Sequence, residues 1–88
     1  MQRKVIIYTW SFCPYCIRAK KILDQEEIQY EEIEISKDKN KLADLEQLTG
    51  CDTVPQIFVD GQFFGGCDDL VRLKRDQESF EKLFYLNV

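Results

Sequence analysis

The sequence predicts an α/β fold of order βαβαββα, a four-stranded mixed sheet flanked by helices. Three stretches carry that expectation. The β-branched and aromatic run "KVIIYT" (Lys4–Thr9) is followed at once by helical periodicity from Pro14. The stretch "QIFVDGQFF" places the turn pair Asp60–Gly61 between two apolar runs, the mark of a hairpin. The final apolar residues return to helical spacing. The opening βαβ unit implies parallel strands joined by a right-handed crossover, and the hairpin adds antiparallel ones.

Each element has its own warrant. The first strand is Lys4–Thr9, short and apolar enough to be buried. The first helix is expected over Pro14–Glu27: proline suits the first turn, where no amide hydrogen is needed, and Cys16, Ala19, Ile22 and Leu23 recur on one face. Gln29–Ile35 ("QYEEIEI") reads as the second strand, but Tyr30 falls out of phase with Ile33 and Ile35, which predicts a bulge or an irregular start. Ser36 is the expected cap of a second helix that lines up Leu42, Leu45 and Leu48 and stops at Gly50. Strands Gln56–Asp60 and Gln62–Phe64 form the hairpin. The closing stretch "CDDLVRLKRDQESFEKLFYL" carries Leu70, Val71 and Leu73, then Phe80, Leu83 and Phe84, and its polar segment Asp76–Ser79 is a place where it can split in two.

Composition narrows the function. The 88 residues fit one domain spanning 1–88, and 44% hydrophobic content is enough for a core that needs no metal. Twelve basic against sixteen acidic residues give a net charge of -4, a poor match to nucleic acid. The apolar part of "MQRKVIIYTW" is too short for a secretion signal or a membrane span, so a soluble protein of a reducing compartment, the cytoplasm, is expected, acting as a monomer without membrane contact. Four cysteines are unevenly spaced: Cys13 and Cys16 form a tight pair, while Cys51 and Cys67 stand alone. The chain has no histidine, so a reactive thiol must be activated without an imidazole base.

The start of the first helix can do this. Cys13 falls at its N-cap, where unpaired backbone amides and the positive dipole end favour an anion, and a thiolate is that anion. In Cys-x-x-Cys motifs such placement brings thiol pKa values from about 8.5 to roughly 3.5–7.5. Arg18 and Lys20 either add positive potential or point to solvent. Cys16 lies one turn on, facing the same way, inside the helix and away from water, so the pair divides into an exposed nucleophile and a buried resolving thiol. The bland alternatives are a structural disulfide or half of a zinc site; zinc needs two more ligands, and the sequence offers no second such pair and no histidine. The leucine face of the second helix and the Phe80–Leu83–Phe84 stripe read as core, and the charge run Glu26–Glu34 as a solvated face.

Three motifs together, "CPYC", "TVPQIFVDG" (Thr53–Gly61) and "GGCDDL" (Gly65–Leu70), resemble the dithiol glutaredoxins of the thioredoxin superfamily, in the same order and over nearly the whole chain. The resemblance implies a thioredoxin-like fold and a cis bond before Pro55. It implies glutathione as reductant and co-substrate, no tightly bound cofactor and no metal, and glutathionylated or disulfide-bonded proteins as partners. Cys13 and Cys16 would be the catalytic pair. Glutathione would lie along Tyr15 and the backbone of Thr53, Val54 and Pro55, as an extended peptide does in strand addition. Its γ-glutamyl end would meet Gly66, Cys67, Asp68 and Asp69, where helix amides suit a carboxylate and an aspartate suits an ammonium. This chain departs from the family at Trp10 and Leu42, where many members carry a lysine and a Gln or Arg for the glycine carboxylate; Lys39 and Lys41 are the substitutes at hand. Tyr8 reads either as a flank of the peptide or as core. Cys51 reads as packing at the end of the second helix, and Cys67 as a small residue beside the site. The alternative function implied by the family is iron-sulfur cluster binding through Cys13 and glutathione, although such members usually have smaller residues than Pro14 and Tyr15.

Overall fold

The computed structural model describes residues 1–85. Leu86, at the end of the predicted last helical stretch, lies outside them. In chain order the elements are β1 (Val5–Thr9), α1 (Pro14–Gln25), β2 (Glu31–Glu34), α2 (Lys39–Thr49), β3 (Gln56–Val59), β4 (Gln62–Gly65), α3 (Cys67–Lys74) and α4 (Gln77–Phe84). The sheet order is β2-β1-β3-β4. β1 runs parallel to β2 and antiparallel to β3, and β3 runs antiparallel to β4, so the sheet is mixed as expected.

Alternation along β1 divides the core between the two faces of the sheet. Val5 and Ile7, with Ile57 and Val59 of β3, pack with Ala19, Ile22 and Leu23 of α1, Leu70 of α3, and Phe80 and Phe84 of α4. Ile6, Tyr8, Ile33 and Phe58 point the other way and meet Leu42 and Leu45 of α2. Tyr8 is therefore a half-buried core residue, edge-on to Phe58 with ring centroids 5.5 Å apart.

Several boundaries differ from the sequence expectation. α1 stops at Gln25, and Glu27 takes a left-handed φ of 58°, while the Ile28 amide returns to the Leu23 carbonyl at 2.8 Å. α2 is capped by Asp38, whose carboxylate accepts the Lys41 amide at 3.1 Å; Ser36 instead bonds to the Glu34 carboxylate. Leu48 is 73% exposed. Each three-residue step rotates about 60° backward around a helix, so Leu48 has swung about 120° away from Leu42 and off the sheet. Of the two expectations for β2, the structure has the irregular start and no bulge: the strand begins at Glu31, and Tyr30 precedes it and packs on one face while Ile33 packs on the other. The irregularity falls in the hairpin instead, at Ile57/Phe58. The last helical stretch does split, with Asp76 capping α4 through the Glu78 and Ser79 amides. Asp60 (φ 51°) and Gly61 (φ 81°) make the tight turn that the sequence marks, and Gly50 ends α2 with φ 77°.

Candidate active site

Cys13 is the N-cap of α1, with extended backbone, and Pro14 opens the helix. Proline there has no amide to contribute, so the hydrogen bond to the cap comes from one turn on: the Cys16 N–H donates to Cys13 Sγ at 3.2 Å. The preceding loop turns outward. Phe12 takes a φ of 57° and is 98% exposed, and Trp10 is also exposed. Cys13 itself is half-buried, whereas Cys16 is 1% exposed against the core. Both thiols are free. Burial, followed by the hydrogen bond and charge of Cys13, pushes the Cys16 thiol up to about 12, while a backbone hydrogen bond from Trp10 and the charge of Lys20 act the other way.

The loop between α2 and β3 comes up against this pair. The Val54–Pro55 bond is cis, and the Val54 carbonyl lies 4.0 Å from Cys13 Sγ. Neither the amide nor the carbonyl of Val54 is taken by a backbone hydrogen bond among the described residues. On the far side, β4 ends at Gly65 and α3 begins. Gly65 has a φ of 152°, and a Cβ on it would lie 2.3 Å from Asp69 Oδ2. A Cβ on Gly66 would lie 3.1 Å from the Pro55 carbonyl oxygen, so the two loops touch backbone to backbone. Asp69 folds back to accept the Gly66 amide at 2.9 Å and also pairs with Arg72.

Between the two loops is a cavity of about 330 Å³. The eight residues that the family resemblance singles out for glutathione (Tyr15, Thr53, Val54, Pro55, Gly66, Cys67, Asp68 and Asp69) all line it. Cys51 is the ninth. Sequence reasoning placed Cys51 at the end of a helix, yet it is half-buried beside the cavity with its Sγ 3.3 Å from Thr53 Oγ1. Its position two residues before Thr53, on the same loop, was the available signal. Cys67 is buried, and burial raises its thiol pKa.

Beneath the site, Thr9 is fully buried and donates to Glu32 Oε2 at 2.7 Å, and Lys20 Nζ reaches the same oxygen at 3.0 Å. Lys20 is thus paired across α1 and β2, and Glu32 is more than part of a solvated charged face. The Thr9 hydroxyl first, then Lys20, hold the Glu32 carboxyl below its ordinary pKa. Lys41 stands with its ammonium 5.3 Å from the Tyr8 ring centroid, while Lys39 is exposed.

A half-buried and a fully buried thiol one turn apart at a helix start, facing a proline loop on a mixed sheet, define the class of dithiol redox proteins. The comparisons narrow this class. The glutaredoxin family model matches residues 5–64. Glutaredoxin 1 of Rickettsia typhi is 50% identical over 74 residues, covering 82% of this chain and 71% of that protein. In three dimensions the chain is similar to the holo form of glutaredoxin C1 from Populus tremula x tremuloides, with a TM-score of 0.83 and 29% identity, covering 90% of this chain and 80% of that one. It is similar also to buckwheat glutaredoxin in a glutathione complex, with a TM-score of 0.81 and 34% identity over 90% and 74% of the two chains. The chain belongs to the glutaredoxin family and is a thiol oxidoreductase of the glutathione-dependent kind. Its fold is the thioredoxin-like one shared with these structures. No helix among the described residues is long and apolar enough to cross a membrane.

Proposed function

We propose that the protein reduces protein-glutathione mixed disulfides through Cys13 alone, and protein disulfides through Cys13 and Cys16 together. The observation that carries this reading is the asymmetry of the pair: one sulfur half-exposed at a helix N-cap, the other 1% exposed behind it.

In the first reaction the Cys13 thiolate attacks the glutathionyl sulfur. A Cys13–glutathione bond forms, the old disulfide breaks, and the target leaves as a thiolate that takes a proton. A glutathione thiolate then attacks that bond, releasing glutathione disulfide and returning the Cys13 thiolate. The Cys16 amide at 3.2 Å stabilises the anion at both ends of the cycle. In the second reaction the Cys13 thiolate opens the target disulfide to a mixed disulfide and releases one target thiolate. Cys16 must then lose its proton to attack the Cys13 sulfur, which releases the other target thiolate and leaves a Cys13–Cys16 disulfide that two glutathiones reduce, leaving as glutathione disulfide. Two of the influences that raise the Cys16 pKa, the hydrogen bond and the charge of Cys13, disappear once Cys13 is tied up in a disulfide. Burial remains, so resolution is the step that alkali should accelerate.

In this reading glutathione would lie across the cavity with its cysteine toward Cys13. Its cysteine would pair with the open Val54 backbone beside Cys13, and its γ-glutamyl carboxylate would meet the first amides of α3. Asp69 is already engaged by Gly66 and Arg72, which gives the ammonium to Asp68, exposed on the cavity wall.

Glutathione-dependent turnover of a small glutathionylated disulfide tests the scheme. Cys16→Ser should retain activity while Cys13→Ser loses at least about a hundredfold, the scale of a missing nucleophile. Appreciable turnover by Cys13→Ser would overturn it.

A further inference from the structure

Gln56 is the most deeply buried amide side chain near the site, with no exposure to solvent. It opens β3 and is paired across the sheet with Tyr8 of β1, so its backbone is fixed by the centre of the fold. Its side chain turns back toward the loop that precedes it. Nε2 donates to the Cys51 carbonyl at 2.7 Å and to the Thr53 carbonyl at 3.1 Å. Two carbonyl oxygens need two donor hydrogens, which only the nitrogen end of the amide supplies, so the orientation of the group is set by its partners. The hydroxyl of Thr49, the last residue of α2, donates to the Leu45 carbonyl at 2.8 Å, accepts the Cys51 amide at 3.1 Å and lies 3.3 Å from Gln56 Oε1. The buried carboxamide thus ties the loop 51–53 to the first position of β3, and Thr49 ties the same loop to the end of α2.

The residue that follows the tied segment is Val54, whose carbonyl lies 4.0 Å from Cys13 Sγ. Among the described residues Val54 has no backbone hydrogen-bond partner of its own. On the side of Val54 toward α2, the Cys51 and Thr53 carbonyls are held by Gln56.

We propose that Gln56 is a positioning residue for the thiol-exchange reaction: its buried amide fastens the Cys51 and Thr53 carbonyls and so holds the Val54 backbone in register with Cys13 for pairing with the substrate peptide. This rests on the glutathione reading of the cavity. Gln56 touches neither the reacting sulfur nor the peptide, so its loss should weaken substrate binding and leave the chemistry of a bound substrate intact.

The experiment compares wild type with Gln56→Met, which keeps length and volume but cannot bond the carbonyls, and with Gln56→Glu. Steady-state kinetics on a glutathionylated peptide should show KM raised about tenfold in Gln56→Met with kcat within about twofold of wild type, the scale of losing one net buried hydrogen bond. The pH dependence of Cys13 alkylation should follow that of wild type. Gln56→Glu should show the same raised KM near neutral pH. Its KM, taken as a ratio to wild type at the same pH, should fall as the acid side is approached, because a protonated carboxyl regains one donor hydrogen. If Gln56→Met does not fold by circular dichroism, Gln56→Glu at neutral pH takes its place, since an ionised carboxylate offers neither carbonyl a donor hydrogen. A folded Gln56→Met or Gln56→Glu with wild-type KM at neutral pH overturns the proposal, as does a loss confined to kcat. Absence of glutathione-dependent turnover in wild type would instead overturn the reading on which it rests.

Discussion

Replacing Gly65 by alanine isolates the contact between β4 and α3. Two penalties meet there. A φ of 152° is a conformation that side chains bearing a Cβ rarely adopt, at a cost of order 1–3 kcal/mol. The new Cβ would also stand 2.3 Å from Asp69 Oδ2, so the carboxylate must swing away and release the Gly66 amide. A charge-assisted bond of this kind contributes about 1.5 kcal/mol at a half-buried position. Together Gly65→Ala should destabilise the protein by about 3 kcal/mol, lowering the melting temperature by roughly 15 °C in a chain of this size. Asp69→Ala alone removes only the bond and should cost about 1.5 kcal/mol. In the double variant the bond and the carboxylate contact are already gone, although the Cβ at position 69, 2.8 Å from the new one, still crowds it, so the two changes should cost less together than the additive sum of roughly 4.5 kcal/mol. Thermal and urea unfolding followed by circular dichroism measure all three. Strict additivity would refute the reasoning, since it would mean that the Asp69 carboxylate does not close on the Gly65 backbone.

Two further expectations concern charge. Glu32 is held below its ordinary value of 4.5, so its contribution to stability is complete above that pH and is lost as pH falls through the lower folded value. Glu32→Gln should therefore flatten the acid limb of stability against pH, by less than ~1 kcal/mol because the pair with Lys20 is partly exposed; an unchanged acid limb in urea titrations would count against it. Burial, which still raises the Cys16 thiol once Cys13 is tied up in a disulfide, should make single-turnover reduction of a protein disulfide speed up with rising pH more steeply than deglutathionylation by Cys13. Stopped-flow quench measurements giving parallel pH profiles would contradict that.

The parts of the fold that were legible in the sequence are those set by local chemistry. Asp60–Gly61 needs positive φ at both positions, Gly50 supplies a left-handed helix end, and Pro14 with Cys13 marks a helix start wherever the chain goes afterward. Where two neighbours compete, local chemistry does not decide. Ser36 and Asp38 are both good caps, and Asp38 prevails where Ser36 is drawn back to Glu34. Leu48 looked like core because three leucines recur in threes, a spacing that drifts around a helix and leaves the third one outside. Within the site, the motif residues of the two loops line one cavity. Cys51, Gln56 and the Thr9–Glu32–Lys20 group escaped notice because their roles arise only when the α2–β3 loop folds over β3, or when β1, β2 and α1 are packed together.

Cys13, rather than any of the other three cysteines, is proposed as the sulfur that exchanges with glutathione. Incubating Cys16→Ser protein with glutathione disulfide and locating the adducts by peptide mass spectrometry distinguishes the cysteines. A single glutathione adduct is expected, located on Cys13, with Cys51 and Cys67 unmodified at equal exposure time. An adduct that forms first on Cys51 or Cys67, or none on Cys13, would contradict it.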